Sequence, residues 1–176
     1  MMKIILAILF FISLATQGRA ATNEVVLIGH FSNMVATQDD DPHIVDGYSV
    51  HLYRAGETYF GNLAVATGAL EPAQGRLHDI RFDARTKKLR FKSRYVTGWT
   101  VDKRSGPSGR ESRQLLTFSG KVTRNGLLGL VVLNDGYASN EAGERSFETM
   151  KRTGAKYKPK SIEEWAGYKH LDSPWH

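Results

Sequence analysis

The chain contains no cysteine and only five prolines among its 176 residues. It can therefore form no disulfide, and it has no cysteine to which a lipobox-type lipid anchor could be attached. A domain without disulfides must be held together by burial alone, which is feasible for one domain of about 150 residues. No apolar run reaches the length needed to span a bilayer, so we expect no transmembrane segment once the leader is removed.

The first twenty residues have the organisation of a secretory signal peptide. Lys3 supplies a positive charge, Ile4 to Leu14 supply an apolar segment, and Gly18 and Ala20 are small residues before a cleavage site. We expect cleavage after Ala20 and a periplasmic or secreted location in a bacterium, for which a cysteine-free chain is well suited. Residues 21–155 are then expected to form one domain, with a C-terminal helix and tail, 156–176, packed on it.

The formal charge is +6, from 24 basic and 18 acidic residues. Removal of Lys3 and Arg19 with the leader leaves 22 basic residues against 18 acidic ones, a charge of +4. Such an excess is typical of ordinary solubility. A basic surface for anionic envelope polymers or lipids is the alternative interpretation.

Short stretches of alternating apolar and polar side chains recur along the rest of the chain and predict β-strands. A hairpin turning at Ala55 to Thr58 sets the pattern, and Asn125-Gly126 predicts a second hairpin with a type I′ turn. Ser161 and Glu164 form a capping box, which predicts a short helix over 162–170. The predicted strands are 24–34, 48–54, 59–67, 76–83, 88–96, 114–124, 127–133 and, with less regular alternation, 145–152.

Seven or eight antiparallel strands joined by short connections indicate an all-β meander. A meander of this length usually closes on itself, because closure removes the edge strands that invite aggregation. The sequence therefore predicts an up-and-down β-barrel with a short C-terminal helix. A β-sandwich is the alternative.

A secretory leader, an opening strand that contains Gly29-His30-Phe31, about eight meandering strands and a late helix together resemble calycin-type barrels, the lipocalin and avidin group. The resemblance covers most of the mature chain as architecture, and it implies a barrel of the kind that holds ligands. The glycine-x-tryptophan motif of lipocalins is absent at the first strand, so no family binding residue is carried over.

Aromatic side chains recur on the predicted inner face and have two interpretations. They either fill a core or line a cavity for a small apolar or amphipathic ligand, as barrel interiors do. Alternation in the fourth strand places His78 inward together with Ile80 and Phe82, whereas Arg90, Lys92 and Arg94 form a basic row on the outer face of the fifth strand. The candidate lining residues are Tyr48, Tyr59, His78, Phe82, Phe91, Tyr95 and Phe118.

Residues 97–113 break the alternation and are predicted to form the longest loop, which is basic and begins near Trp99. Together with the loop 35–46, this segment supports an alternative function as a protein-interaction module, such as an inhibitor or immunity-type partner of an envelope protein. Nucleic acid is not an expected partner of an exported chain. The candidate interaction residues are Trp99, Lys103, Arg104, Arg110 and Arg113.

Polar clusters do not match any catalytic or metal signature. Asp39, Asp41 and His43 supply oxygen and nitrogen ligands in one loop, but their spacing fits neither an EF-hand nor a zinc site. His30 and His51 lie on different strands, with His51 expected to point outward, and His78-Asp79 near a serine lacks a nucleophile elbow. We therefore expect a protein that binds rather than one that catalyses, with no cofactor.

Overall fold

A computed structural model describes residues 24–37, 45–69, 71–102, 106–137, 142–154 and 158–171. The predicted leader therefore lies outside the described residues. The described chain is mostly strand, as the alternating pattern predicts. The elements are β1 Val25–Ser32, β2 Val35–Ala36, β3 Val45–Ala55, β4 Thr58–Ala69, β5 Ala73–Phe82, β6 Lys88–Asp102, β7 Gly106–Val122, β8 Gly126–Asp135, β9 Glu144–Thr153, helix α1 Ile162–Ala166 and a 3₁₀ turn Lys169–Leu171.

Eight antiparallel strands form a closed barrel, and the two-residue strand β2 is added at one side. From β3 to β9 each strand bonds to the next one in the chain, which is the predicted meander. Closure is made by β1, which pairs with β9 on one side and with β3 on the other. The up-and-down barrel is thus confirmed over the β-sandwich.

The inward register follows the alternation in most strands. In β6, Leu89, Phe91, Ser93 and Tyr95 are buried while Arg90, Lys92 and Arg94 are exposed. In β3, Val50 and Leu52 are 0% exposed. Side chains that alternate in this way place one face of each strand in the core and leave the other in water. The predicted inner face of these strands is therefore confirmed.

The prediction that His78 points inward is wrong. A β-bulge in β5 sets three residue steps, from His78 to Arg81, against two in β6. Asp79, within this bulge, has a φ of 51°. The extra residue changes the face on which the side chains lie, so Leu77 is buried, His78 is exposed, and Ile80 still packs against the core.

Residues 97–113 are not the predicted long loop. Apart from 103–105, which lie outside the described residues, they continue β6 and β7 as a paired hairpin reaching Asp102 and Gly106. Backbone pairing does not require apolar alternation once the strands have passed the end of the core.

The second predicted hairpin, which turns near Asn125-Gly126 between β7 and β8, is confirmed. Neither Asn125 nor Gly126 has a positive φ, so the prediction of a type I′ turn is wrong.

The apolar–polar alternation of strand β9 is irregular in the sequence because the inner face of the strand is partly polar. Ser146 and Glu148 share the inward face with the buried Met150, whereas Phe147 points outward and is 72% exposed. A polar inner face is tolerated here because this half of the strand lies at an open end of the barrel. The predicted eighth strand is therefore confirmed, with a physical reason for its irregular pattern.

The C-terminal segment packs on the outside of the barrel. Ser161 caps α1, its hydroxyl accepting a hydrogen bond from the Glu164 N–H at 3.1 Å. The helix packs Ile162 and Trp165 against Tyr53, which is 3% exposed and belongs to a second, smaller core on the outer face of the barrel. This cluster explains why Tyr53 is buried although it faces away from the main core.

Candidate functional site

The centre of the barrel is filled with side chains. Phe31, Leu52 and Phe118 are 0% exposed, and the rings of Phe91 and Phe118 stack with their centroids 5.0 Å apart. Close-packed interiors leave few voids larger than a water molecule. The candidates Phe91 and Phe118 therefore belong to the core, and the larger cavities lie at the two ends of the barrel.

One cavity of about 750 Å³ lies at the end of the barrel that carries the β3–β4, β5–β6 and β7–β8 turns, and we call it the basal cavity. The candidates Tyr59 and Phe82 lie in its wall, with their rings in edge-to-face contact at 5.5 Å. Its apolar lining is Leu27, Ile28, Tyr59, Phe82 and Val122. These side chains are buried or half-buried, so the cavity has an apolar interior.

Cationic side chains surround the same cavity. Arg152 has a structural role. Its Nη1 donates a hydrogen bond to the Ile28 carbonyl at 2.9 Å, and its Nε donates one to the Arg124 carbonyl at 3.2 Å. Its guanidinium lies 4.8 Å from the Phe31 ring centroid. Four further cations are exposed, and acidic side chains are absent from the described lining. These four are Arg54, Lys87, Lys121 and Arg124.

The opposite end holds a mouth cavity of about 590 Å³, whose lining includes the carboxylates of Asp46, Glu144 and Glu148. The candidates Tyr48 and Tyr95 are in this lining. Burial raises the pKa of both phenols, and for Tyr48 the nearby Glu148 carboxylate adds to the rise. Asn33 holds Glu148 by a 2.8 Å hydrogen bond and accepts one from the Tyr48 N–H at 2.7 Å. The mouth is therefore an ordered polar surface.

Two histidines that were not expected to meet lie face to face on the outside of the barrel. His30 and His51 are directly opposite in the β1–β3 ladder, and their ring centroids are 3.8 Å apart. His30 Nε2 lies 2.8 Å from Ser49 Oγ. Burial, followed by the charge of His30, lowers the pKa of His51 to about 4. Their closeness depends on barrel closure, which no local pattern reveals.

Three of the candidate interaction residues, Trp99, Arg110 and Arg113, lie on the paired strands β6 and β7. Trp99 is 62% exposed, and the guanidinium of Arg110 lies 3.1 Å from the Tyr137 ring centroid, with that of Arg113 at 5.2 Å. These residues are placed on paired strands and not on a loop. Lys103 and Arg104, together with the metal candidates Asp39, Asp41 and His43, lie outside the described residues.

The catalytic arrangement considered for His78 and a serine is not assembled. Ser49 lies against His30, while His78 is exposed on β5. Within the described ranges, no three His, Asp or Glu side chains converge as metal ligands. In the same part of the chain, no helix combines the length and apolarity needed to cross a membrane.

Sequence reasoning missed the cations of the basal cavity. Arg54, Lys87, Lys121 and Arg124 each lie beside a tight turn, and in a meander alternate turns meet at the same end of the barrel. That regularity is the signal that would have found them.

No protein-family model, no curated protein and no solved structure matches this chain.

Proposed function

We propose that this protein is an exported binding protein for a small amphipathic anion, a molecule with one alkyl chain and one anionic headgroup, held in the basal cavity. The observation that carries the proposal is the combination of an apolar lining with four exposed cations around one cavity. The volume of about 750 Å³ falls within the range of roughly 300–1,000 Å³ that is usual for small-molecule sites.

The two parts of the cavity suit the two parts of such a ligand. Tyr59, Phe82 and Val122 offer apolar surface to an alkyl chain, and the burial of that chain provides most of the binding free energy. Lys87 and Arg124 offer charge-assisted hydrogen bonds to a carboxylate or phosphate headgroup. The mouth cavity, with its carboxylates, suits an anion much less.

Calorimetric titration with decanoate and with decyltrimethylammonium tests the proposal, because the two ligands carry similar chains and opposite charges. We expect decanoate to bind at least about tenfold more tightly and its affinity to fall as salt is added. Replacement of Lys87 and Arg124 by glutamine should remove most of this preference. Equal affinities for the two ligands would contradict an anion site.

Ala84 allows the cavity to be closed with little change elsewhere, since it is an exposed turn residue in the cavity lining. We expect Ala84→Trp to abolish decanoate binding, because the indole would occupy the space of the alkyl chain. Ala84→Ser is the matched control and should bind normally. Decanoate binding that survives Ala84→Trp would show that the ligand lies elsewhere.

A second candidate function, a protein-interaction module, is favoured by the apolar side chains near the mouth. Trp99 and Val35 are 62% and 63% exposed, and exposed aromatic anchors are frequent at protein interfaces. An envelope extract passed over immobilised wild-type protein and over a Trp99→Ala variant tests it. Retention of the same partner by both proteins would argue against this surface.

A further inference from the structure

The outer face of β5, β6 and β7 carries a dense group of cations, which we call the basic wall. Four of them alternate along β6, and β5 and β7 contribute one each. Alternate residues of a strand are about 6.8 Å apart, so the β6 row alone extends for about 20 Å. The basic wall consists of Arg81, Lys88, Arg90, Lys92, Arg94 and Lys121, all exposed.

Two pairs of like charges lie directly opposite each other in this wall. Arg81 faces Arg90 across β5 and β6, and Lys88 faces Lys121 across β6 and β7. Like charges in directly opposite positions destabilise a sheet. An external anion bound on this face would therefore reduce the repulsion within the two pairs.

Two acidic residues lie near the wall, and their carboxylates interact with Arg81 and Lys88 at longer range than an ion pair. Asp79 forms its ion pair with Lys92 at 3.1 Å, and Asp83 accepts hydrogen bonds from the Thr86 hydroxyl and from turn N–H groups. Neither Arg81 nor Arg90 makes a hydrogen bond or short ion pair within the part of the chain that the structure describes. Both guanidinium groups are therefore left to solvent or to a partner.

We propose that the basic wall docks the protein on an anionic lipid surface. The wall is continuous with the rim of the basal cavity, because Lys121 belongs to both and Lys88 follows Lys87 in the chain. Docking would place the cavity opening beside lipids that have the chemistry of its ligand. The choice of a lipid surface over a dissolved polyanion rests on the proposed function, whereas the wall itself does not.

Vesicle sedimentation tests the docking. We expect the purified protein to bind vesicles of equimolar phosphatidylcholine and phosphatidylglycerol, and not vesicles of phosphatidylcholine alone. The double variant Arg81→Gln/Arg90→Gln should bind about thirtyfold more weakly, given the usual contribution of each basic residue near an anionic surface. This variant should also fold, because it removes a repulsive pair.

The matched control is Arg145→Gln/Lys151→Gln, which removes the same charge from exposed positions of β9, across the barrel from β5. It should bind vesicles nearly as the wild type does. Equal weakening of both double variants, or binding of soluble heparin without binding of vesicles, overturns the proposal. Ala84→Trp should dock normally, so a failure of docking and a failure of decanoate binding are separate results.

Discussion

The imidazole rings of His30 and His51 are stacked, with 3.8 Å between their centroids and 7° between their planes. His51 is half-buried in this position, and its pKa is lowered to about 4 by burial and by the charge of His30. A histidine held neutral in this way links folding to pH.

We expect the free energy of unfolding to fall as the pH drops from about 6.5 to about 4. Over this interval the unfolded chain binds a proton at His51 and the folded chain does not, so acid favours unfolding; above it both forms are neutral. Allowing for partial solvent screening, the effect is about 1–2 kcal/mol. Urea unfolding at several pH values measures it. His51→Gln should flatten this part of the profile, and an unchanged slope would contradict the assignment.

Arg76 joins the barrel to the C-terminal segment. Its guanidinium donates hydrogen bonds of 3.0 Å to the carbonyls of Trp165, Ala166 and Tyr168, and it lies 4.5 Å from the Trp165 ring centroid. We expect Arg76→Met to lower the free energy of unfolding by about 2 kcal/mol, since several carbonyls lose a charged donor.

Hydrogen exchange localises that effect. In Arg76→Met, amides of 158–171 should exchange faster while those of β6 remain protected. Arg145→Met, at an exposed position of β9, is the control and should exchange as the wild type does. Protection of 158–171 that is the same in both variants would mean that Arg76 does not hold the segment.

Gly120 and Gly129 face each other across β7 and β8 beneath the Phe118 ring. A Cβ on Gly120 would lie 2.6 Å from Phe118 Cζ and 2.7 Å from the Gly129 Cα. We expect Gly120→Ala to cost about 1–3 kcal/mol in thermal or urea unfolding, because the core has no room to yield. Gly154→Ala is the neutral control, because an added Cβ there would have no described atom within 4 Å apart from its chain neighbours. Equal stabilities for the two variants would contradict this packing.

The architecture was predictable because alternation is a local signal of period two. Leu89, Phe91 and Tyr95 showed the inner face of β6 without any knowledge of the neighbouring strands. The prediction that His78 points inward was wrong because a single inserted residue in β5 reversed the alternation. A bulge of that kind cannot be recognised from a pattern of side-chain types. The prediction of a long loop over 97–113 was wrong for a related reason, since strand pairing beyond Val96 does not depend on an apolar face.

The candidate sites were less predictable because they depend on closure. Tyr59 and Phe82 were recognised as aromatic positions, yet the cations that surround them come from separate turns that only the closed barrel brings together. The stacking of His30 on His51 likewise requires β1 to meet β3. Such juxtapositions are properties of the ring of strands and not of any one strand.

The pairing of β1 with β9 joins His30 to Thr153 and closes the barrel between the first and last strands of the domain. The last rungs of the ladder therefore cannot form until nearly the whole domain has been synthesised. Before that moment the chain carries two unpaired strand edges, which are open to association with other chains. Folding is then expected to be slow, on the order of milliseconds to seconds, and to be completed only when β1 meets β9.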